Sequence, residues 1–534
     1  MDMQKSKLSI ERIIITAWLL IVLVFYFWTA STNLAPFKFD FSDEQEWYRT
    51  SGYQEKSYIY YNYLSDAFLA GQLHLLIKPS EQLLSVKDPY EPEQNAYISL
   101  LDASLYNNQY YFYFGPSPAL CFFIPYRLFF SGKMPANFAA ALISYLGLLF
   151  SILLLNFSRK RYFERTPFLL FFSGVVALSL CTFIPFALRR PSSYEIAILG
   201  AYFFVMGAFY LIISGTLGKA VKKWKLLLGS ISLGLAVGSR PTTILASLLL
   251  VFMFVYVVKE YKDNRFSKAV PEFILLSLPY GLIIFLLGLY NYLRFDNWFE
   301  FGQSWQLTLQ NMREISMYKF ANFFPNLLRY LFKPIDIIST FPYFTIGHKH
   351  TYEGGFSLEP VAGILLALPI VLMIIIFFID FKKIRKENVG LFYSMVSIIG
   401  SATLVLLFVS FYSAVTMRYA IDFTPLFLVA ALLSWFYFYQ KVNNVKIELE
   451  KRRFHNRITQ KKSKKADKPV KNKDILSLDK SYRQKRLIFT IISIFAVSSI
   501  VYSSIANVFM SFAGYHNNLL IGNPSLYHSL QSLF

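Results

Sequence analysis

The sequence predicts an all-α polytopic membrane protein, with about eleven transmembrane helices and juxtamembrane helices in its first extracytoplasmic loop. Three observations carry this. Of the 534 residues, 55% are hydrophobic and 19% aromatic, and only 16% are charged. A soluble chain carries about a quarter charged residues. The apolar residues also fall in runs of roughly 17 to 25, the length that crosses a bilayer. Finally, the formal net charge is +21, and its cations gather in alternate linkers between those runs. This composition, with a mean hydropathy of +0.41, excludes a soluble enzyme and a disordered chain. Cys121 and Cys181 both lie in apolar stretches and read as small buried hydrophobes, which excludes a disulfide scaffold.

Taken in order, the expected spans are Ile13 to Ala30, Phe138 to Leu155, Phe168 to Ala187 and Ile196 to Ile213. Next comes a broken pair, Leu226 to Gly238 and Ile244 to Val258, separated by Ser239-Arg240-Pro241. The rest are Phe273 to Tyr290, Val361 to Ile379, Leu391 to Phe411, Phe423 to Tyr439 and Leu487 to Ala506. Lys5, Lys7 and Arg12 precede the first span, and no small-residue cleavage site follows it, so it reads as an uncleaved anchor.

Cytoplasmic linkers are enriched in Lys and Arg. Arg159 to Arg161, Lys219 to Lys225, Lys259 to Lys268, Lys382 to Lys386 and Lys441 to Arg486 therefore face the cytoplasm, together with the amino terminus. This parity holds if Pro116 to Phe130 does not cross. That stretch is short, carries Arg127 and several prolines, and reads as a juxtamembrane helix.

The chain then divides into a transmembrane catalytic module over 1–440, a basic cytoplasmic stretch over 441–486, and a final span with an extracytoplasmic tail over 487–534. Two outer loops, 31–115 and 294–355, are far longer than a connection requires, and long structured loops usually carry function. The first has eleven acidic residues against five basic, a net charge of −6. The basic stretch has 17 Lys and Arg against 5 Asp and Glu, a net charge of +12, which suits contact with anionic lipids. Nothing with base-reading character accompanies it, so no nucleic acid is expected.

Ionisable residues at the hydrocarbon boundary are costly and mark functional sites. On this topology Arg189, Arg190, Glu195, Arg240, Arg294, Arg418 and Asp422 gather on the outer side. Arginines so placed can converge on a phosphate, whose oxygens match guanidinium geometry. Each can also snorkel to headgroups from a helix end. Arg240 stands apart, since it interrupts two half-length helices. The first outer loop supplies the carboxylates Asp40, Asp43, Glu44, Glu46, Glu55 and Asp66. A general base can come from these, and a solvated acidic loop is the plainer alternative. Tyr60 to Leu75 has near-helical apolar spacing and suits a helix lying on the membrane. The run Tyr110 to Pro118, with Tyr113 at its centre, can stack a sugar or join an interfacial aromatic belt. His348-Lys349-His350 can hold a metal or a phosphate, although histidines two apart share no helix face. There is no P-loop, no dinucleotide fingerprint, no nucleophile elbow and no Cys-His zinc set.

The segments from Asp43 to Gly132, Arg189 to Glu195, Gly234 to Pro241 and Asn291 to Gln306, in this order and sidedness, resemble the GT-C class of membrane glycosyltransferases. The nearest in look are bacterial members akin to protein O-mannosyltransferases and lipid A aminoarabinose transferases. The resemblance covers roughly Met1 to Tyr439. It implies an inverting hexosyl- or pentosyl-transferase that uses a polyprenyl-phosphate-linked sugar on the extracytoplasmic side. It implies an acidic base in the first outer loop. Asp43-Glu44 stands where the family has its Asp-Glu pair, and Glu55, leading to Asp66, is a rival. Gly115-Pro-Ser-Pro118 matches a family element but lacks its cation, and Arg240 matches the cation after a Gly-Leu-Ala-type helix. The catalytic candidates are thus Asp43, Glu44 and Glu55. The donor phosphate and sugar are expected at Arg189, Arg190, Glu195, Arg240, Arg294, Arg418, Asp66 and Tyr113. No residue named here requires a cofactor; a divalent metal is possible in such an enzyme. The acceptor is a lipid, a glycan or a protein. A transporter or flippase, and a polymerase or ligase of lipid-linked saccharides, are the alternatives. A transporter usually shows an inverted repeat, and none is visible.

Overall fold

The computed structural model describes residues 2–32, 36–39, 60–96, 98–218, 220–260, 266–347, 351–353, 356–462, 473–515 and 518–534. It is an all-α polytopic membrane protein, 73% helical. The short strands present serve only to shape the loops. Among the described residues nine helices are long and apolar enough to cross a membrane. These are Ile10–Ser31, Ala136–Tyr162, Phe168–Ala187, Ser193–Thr216, Pro241–Glu260, Ala269–Phe295, Val389–Ser410, Thr424–Ile458 and Asp474–Ala513.

The other two expected spans are helical but shorter. Leu226 to Gly238 is the helix Lys223–Val237. Val361 to Ile379 is broken into Ile364–Ala367, a tight turn Pro369–Met373 and Ile374–Ile379. Pro369 explains the break: it offers no N–H and drives Leu368 out of helical geometry, to φ −134 and ψ 63. Pro116 to Phe130 does not form a full span. Its helix, Ala119–Phe130, is short, and its end carries the exposed Leu128, Phe129 and Phe130.

Six serines inside the spans are satisfied locally, which lowers the cost of a polar group in a bilayer. Ser144, Ser151, Ser394, Ser397, Ser410 and Ser434 each donate to the carbonyl four residues back, at 2.6 to 2.9 Å. Ser193–Thr216 is the most enclosed of the long helices, packed between Ala136–Tyr162 and Lys223–Val237. Small residues allow that approach: a Cβ on Gly229 would meet Ile212 at 2.5 Å, and one on Gly147 would meet Tyr202 at 2.4 Å.

The two ends of the bundle differ chemically. At one end the basic linkers meet: Lys441 Nζ lies 2.5 Å from Asp380, and Lys259 Nζ donates to Tyr393 at 2.6 Å. There the helices Thr424–Lys462 and Lys473–Ala513 run on well beyond the bundle. The basic stretch is therefore largely helical, and Arg453 and Arg483 both pair with Asp479 across and along it.

At the other end the two long loops are joined into one layer. Asp102 N donates to Leu307 O at 2.6 Å, Leu307 N to Ala103 O at 2.8 Å, and Ser104 Oγ to Gly302 O at 2.6 Å. A hairpin pairs Ser104–Tyr106 with Gln109–Tyr111. Its turn residues Asn107 and Asn108 both have positive φ, the geometry that suits strand twist. The helix expected over Tyr60 to Leu75 covers Tyr60–Leu69. Its Tyr60, Tyr61 and Leu64 are buried, and Tyr60 stacks on Phe112 at 5.1 Å. This helix is thus a packed part of the layer and not a free surface helix.

Candidate functional site

Two segments singled out in the sequence touch here. Ser117 N donates to Gly238 O at 3.0 Å, and a Cβ on Gly115 would sit 1.9 Å from the same carbonyl. Only glycine allows this crossing of backbones. It sets Tyr113-Phe114 beside Ser239-Arg240. Arg240 has extended geometry (φ −142, ψ 117) and precedes the 3-10 turn Pro241–Ser247, so the chain break aims its side chain away from the helix.

A cavity of about 580 Å³ opens at this point. That is within the range of small-molecule sites. Its walls come from five places: Tyr113 to Gly115, Tyr194, the break at 239–245, the second long loop from Phe299 to Tyr318, and the 408–419 segment. Arg240 and Arg418 are the cations that line it, and Tyr113, Tyr194, Tyr318, Tyr412 and Tyr419 supply much of the remaining surface. The Arg240 guanidinium lies 4.7 Å from the centre of the Tyr419 ring, and that of Arg418 lies 5.6 Å from the same ring and 5.0 Å from Tyr194. Cation–π contacts at this range attract a guanidinium to the ring face and help to position it.

Behind this wall the charges are balanced pair by pair. Arg240 Nη2 is 3.0 Å from Asp422 Oδ2, in ion contact but outside hydrogen-bond geometry. Arg418 grips Glu359 with both terminal nitrogens at 2.8 Å and stands 3.7 Å from Glu195. Arg190 donates to Glu195 from Nε and Nη2 at 3.2 and 3.0 Å, and is 3.9 Å from Glu359. Glu359 reaches this network because its strand Phe356–Leu358 pairs in parallel with Ala414–Val415. Glu359 N donates to Val415 O at 2.8 Å, and Thr416 Oγ1 donates to the Glu359 carboxylate at 2.6 Å. Tyr515, from the tail after the last span, packs under Arg190 with 4.2 Å between guanidinium and ring centre.

The sequence-predicted residues fall into several groups. Arg240, Arg418 and Tyr113 line the cavity. Arg190 and Glu195 belong to the charge network just behind it. Arg189 is fully buried and bonds Ser511 O at 2.7 Å and the Thr32 hydroxyl, tying together the first and last spans. Arg294 donates to Phe112 O and Asn291 Oδ1, both at 2.8 Å, and stacks on Tyr290, so it braces the aromatic run from behind. Asp66 pairs with Arg127 and joins two juxtamembrane helices. Asp43, Glu44 and Glu55 lie outside the described residues, as do His348, Lys349 and His350. Among the described residues no group of three His, Cys, Asp or Glu side chains could hold a metal.

Several site residues had no signal in the sequence. Glu359 and Tyr515 lie far along the chain from their arginines. Asp102 is buried at a positive φ of 63; it accepts from the Tyr194 hydroxyl and from Gln306 Nε2 at 2.8 Å. An unusual backbone at a buried carboxylate is a mark of a constrained site, but it is not visible without coordinates. Asp422 was visible, four residues after Arg418.

Burial pushes the Asp422 carboxyl up to about 6 from an ordinary 3.8, against the opposing pull of Arg240. The folded state therefore holds this proton more tightly than the unfolded chain does. The resulting stability is complete below pH 3.8 and is lost as pH rises through about 6. Thermal unfolding of the purified chain between pH 4 and 7 checks this. The wild type is expected to lose stability with rising pH more steeply than Asp422→Asn.

No family model and no curated protein matches the chain. Solved structures do. ArnT from Cupriavidus metallidurans bound to undecaprenyl phosphate is similar at 11% identity and a TM-score of 0.42, over 97% of this chain and 78% of that one. An oligosaccharyltransferase from Archaeoglobus fulgidus, tethered to an acceptor peptide, is similar at 13% identity and a TM-score of 0.46, over 92% of this chain and 55% of that one.

Proposed function

We propose that the chain is an inverting glycosyltransferase that moves one hexosyl or pentosyl unit from a polyprenyl-phosphate carrier to an acceptor at the extracytoplasmic face. One observation carries this reading: Arg240 and Arg418 flank Tyr419 in an aromatic-lined cavity set at the ends of spanning helices. The basic linkers, which collect at the opposite end, support the extracytoplasmic placement.

Each part of the site suits a step. The cavity is bordered by exposed apolar side chains of the spans, Ile244 and Phe408, so a lipid-borne substrate can reach it from the membrane. When the glycosidic bond breaks, the leaving phosphate gains charge. Fixed guanidinium groups there stabilise the transition state more than the ground state. Tyrosine rings offer flat apolar faces to a sugar. The acceptor hydroxyl must lose its proton to a base on the far side of the anomeric carbon, as inversion requires. The acceptor itself is a lipid, a glycan or a protein, and the helical basic extension is a contact for anionic lipid headgroups.

The test is a donor panel. The full chain in lipid nanodiscs, with a cell-envelope extract as acceptor source, is given undecaprenyl-phosphate-linked hexoses and pentoses, or the matching nucleotide sugars. Release of undecaprenyl phosphate from one or more of the lipid-linked donors is expected, and no turnover of nucleotide sugars. Transfer from a nucleotide sugar, or movement of an uncleaved lipid-linked sugar across the bilayer, would overturn the reading.

A further inference from the structure

The carboxylates around the cavity are not equivalent. Asp422, Glu195 and Glu359 each lie within 3.0 Å of an arginine, and Asp102 is held by Tyr194 and Gln306. None of these four lines the cavity. Among the described residues the one carboxylate in its wall is Glu300, which is half-buried and has no cation within ion-pair distance.

Glu300 is also fixed in place. Its Oε1 accepts from Gly302 N at 2.6 Å and Ser304 N at 3.4 Å, and its Oε2 accepts from Ser304 Oγ at 2.8 Å. The turn that carries it is pinned on two sides. Ser104 of the first loop donates to Gly302 O, and Gln303 Nε2 donates to the Tyr412 hydroxyl at 2.6 Å. Tyr412 belongs to the same linker as Arg418. The carboxylate and the arginines thus sit in separate walls of one cavity, held by one set of hydrogen bonds. Phe299, next to Glu300, is 88% exposed, so this wall lies at the surface of the protein.

We infer that Glu300 is the general base of the transfer, a statement that rests on the glycosyltransferase reading above. The acceptor O–H gives its proton to Glu300 Oε2 as the acceptor oxygen bonds to the anomeric carbon. The bond from that carbon to the phosphate oxygen breaks, and its electron pair stays on the phosphate beside Arg240 and Arg418. Polyprenyl phosphate leaves, and Glu300 passes its proton to water.

Glu300→Gln separates this role from that of a turn cap. The amide keeps a carbonyl for Gly302 N and Ser304 N and an N–H₂ for Ser304 Oγ, but it cannot take a proton. The variant is expected to unfold at the wild-type temperature and to bind undecaprenyl phosphate as the wild type does. Its kcat should fall about 10²- to 10⁴-fold, and the acidic limb of its kcat/KM profile should disappear. Glu300→Asp should recover part of the rate. The inference is overturned if Glu300→Gln stays within about threefold of the wild type, or if it keeps the acidic limb while Asp43→Asn, Glu44→Gln or Glu55→Gln loses it. A wild type with no transfer from any lipid-linked donor overturns both the reading and the base. An active wild type with an active Glu300→Gln overturns the base alone.

Discussion

Arg240→Ala is expected to lower sugar transfer by about 10²- to 10³-fold, the usual cost of removing one fixed donor from a developing negative charge. The variant also strands Asp422, whose partner is Arg240 at 3.0 Å. A buried carboxylate without a cation destabilises the fold, so part of any loss in cells would come from lower protein levels. The double variant Arg240→Ala/Asp422→Asn removes that ambiguity, because neither charge is left behind. It should recover the thermal stability of the wild type and none of its activity. Arg240→Lys should keep the ion pair yet recover little transfer. An ammonium is a point charge, without the planar fork that meets a phosphate or the flat face that stacks on Tyr419. Initial rates normalised to folded protein, with donor binding measured separately, are the required readouts. An Arg240→Ala enzyme at more than a tenth of the wild-type rate would remove this arginine from the chemistry.

Arg240 was legible in the sequence because its setting is costly. A charged residue and a proline between two half-length apolar runs disrupt a membrane helix, and the structure shows what the disruption achieves: the side chain leaves the helix and enters a cavity. The spans were legible for a related reason, since a bilayer forces apolar runs of fixed length. All eleven expected stretches are helical, nine at full spanning length among the described residues. The break at Pro369 was less legible, because a proline in an apolar run can also be absorbed as a kink, as Pro279 is within Phe266–Phe295.

The partners of the arginines were not legible. Arg189 and Arg294 have the same sequence setting as Arg418, each at the end of a span. What separates them is tertiary: Arg189 meets Ser511 across 322 positions and Arg294 meets Phe112 across 182. Glu359 is one acidic residue in a loop that holds several, and only the pairing of two short strands brings it to Arg418. Glu300 sits in Trp298-Phe-Glu-Phe-Gly302, where aromatic neighbours suggest an interface anchor and nothing marks a base. Carboxylate chemistry depends on which groups are already paired, and pairing over such distances leaves no local pattern.

The largest loss of stability is expected for Arg418→Ala. This change leaves Glu359, 2.8 Å away, and Glu195, 3.7 Å away, with one shared cation, Arg190. Breaking a buried pair by removing one partner costs about 3–5 kcal/mol, and here two carboxylates share the deficit. Glu359→Gln should cost less. The amide carbonyl can still accept from Arg418, its N–H₂ can donate to the Thr416 hydroxyl, and Glu195 remains to balance Arg190. The informative variant is Arg418→Met/Glu359→Gln. Replacing a buried pair by neutral side chains of similar size is often close to neutral for stability, so this double variant should unfold near the wild type. If Arg418 served only to hold the 411–423 linker against the strand Phe356–Leu358, activity would return with stability. If it also faces the donor phosphate, the double variant will be well folded and inactive. Thermal unfolding and transfer rates measured on the same preparations decide between these outcomes. The second is expected, because Arg418 both pairs with Glu359 and lines the cavity beside Tyr194 and Tyr419.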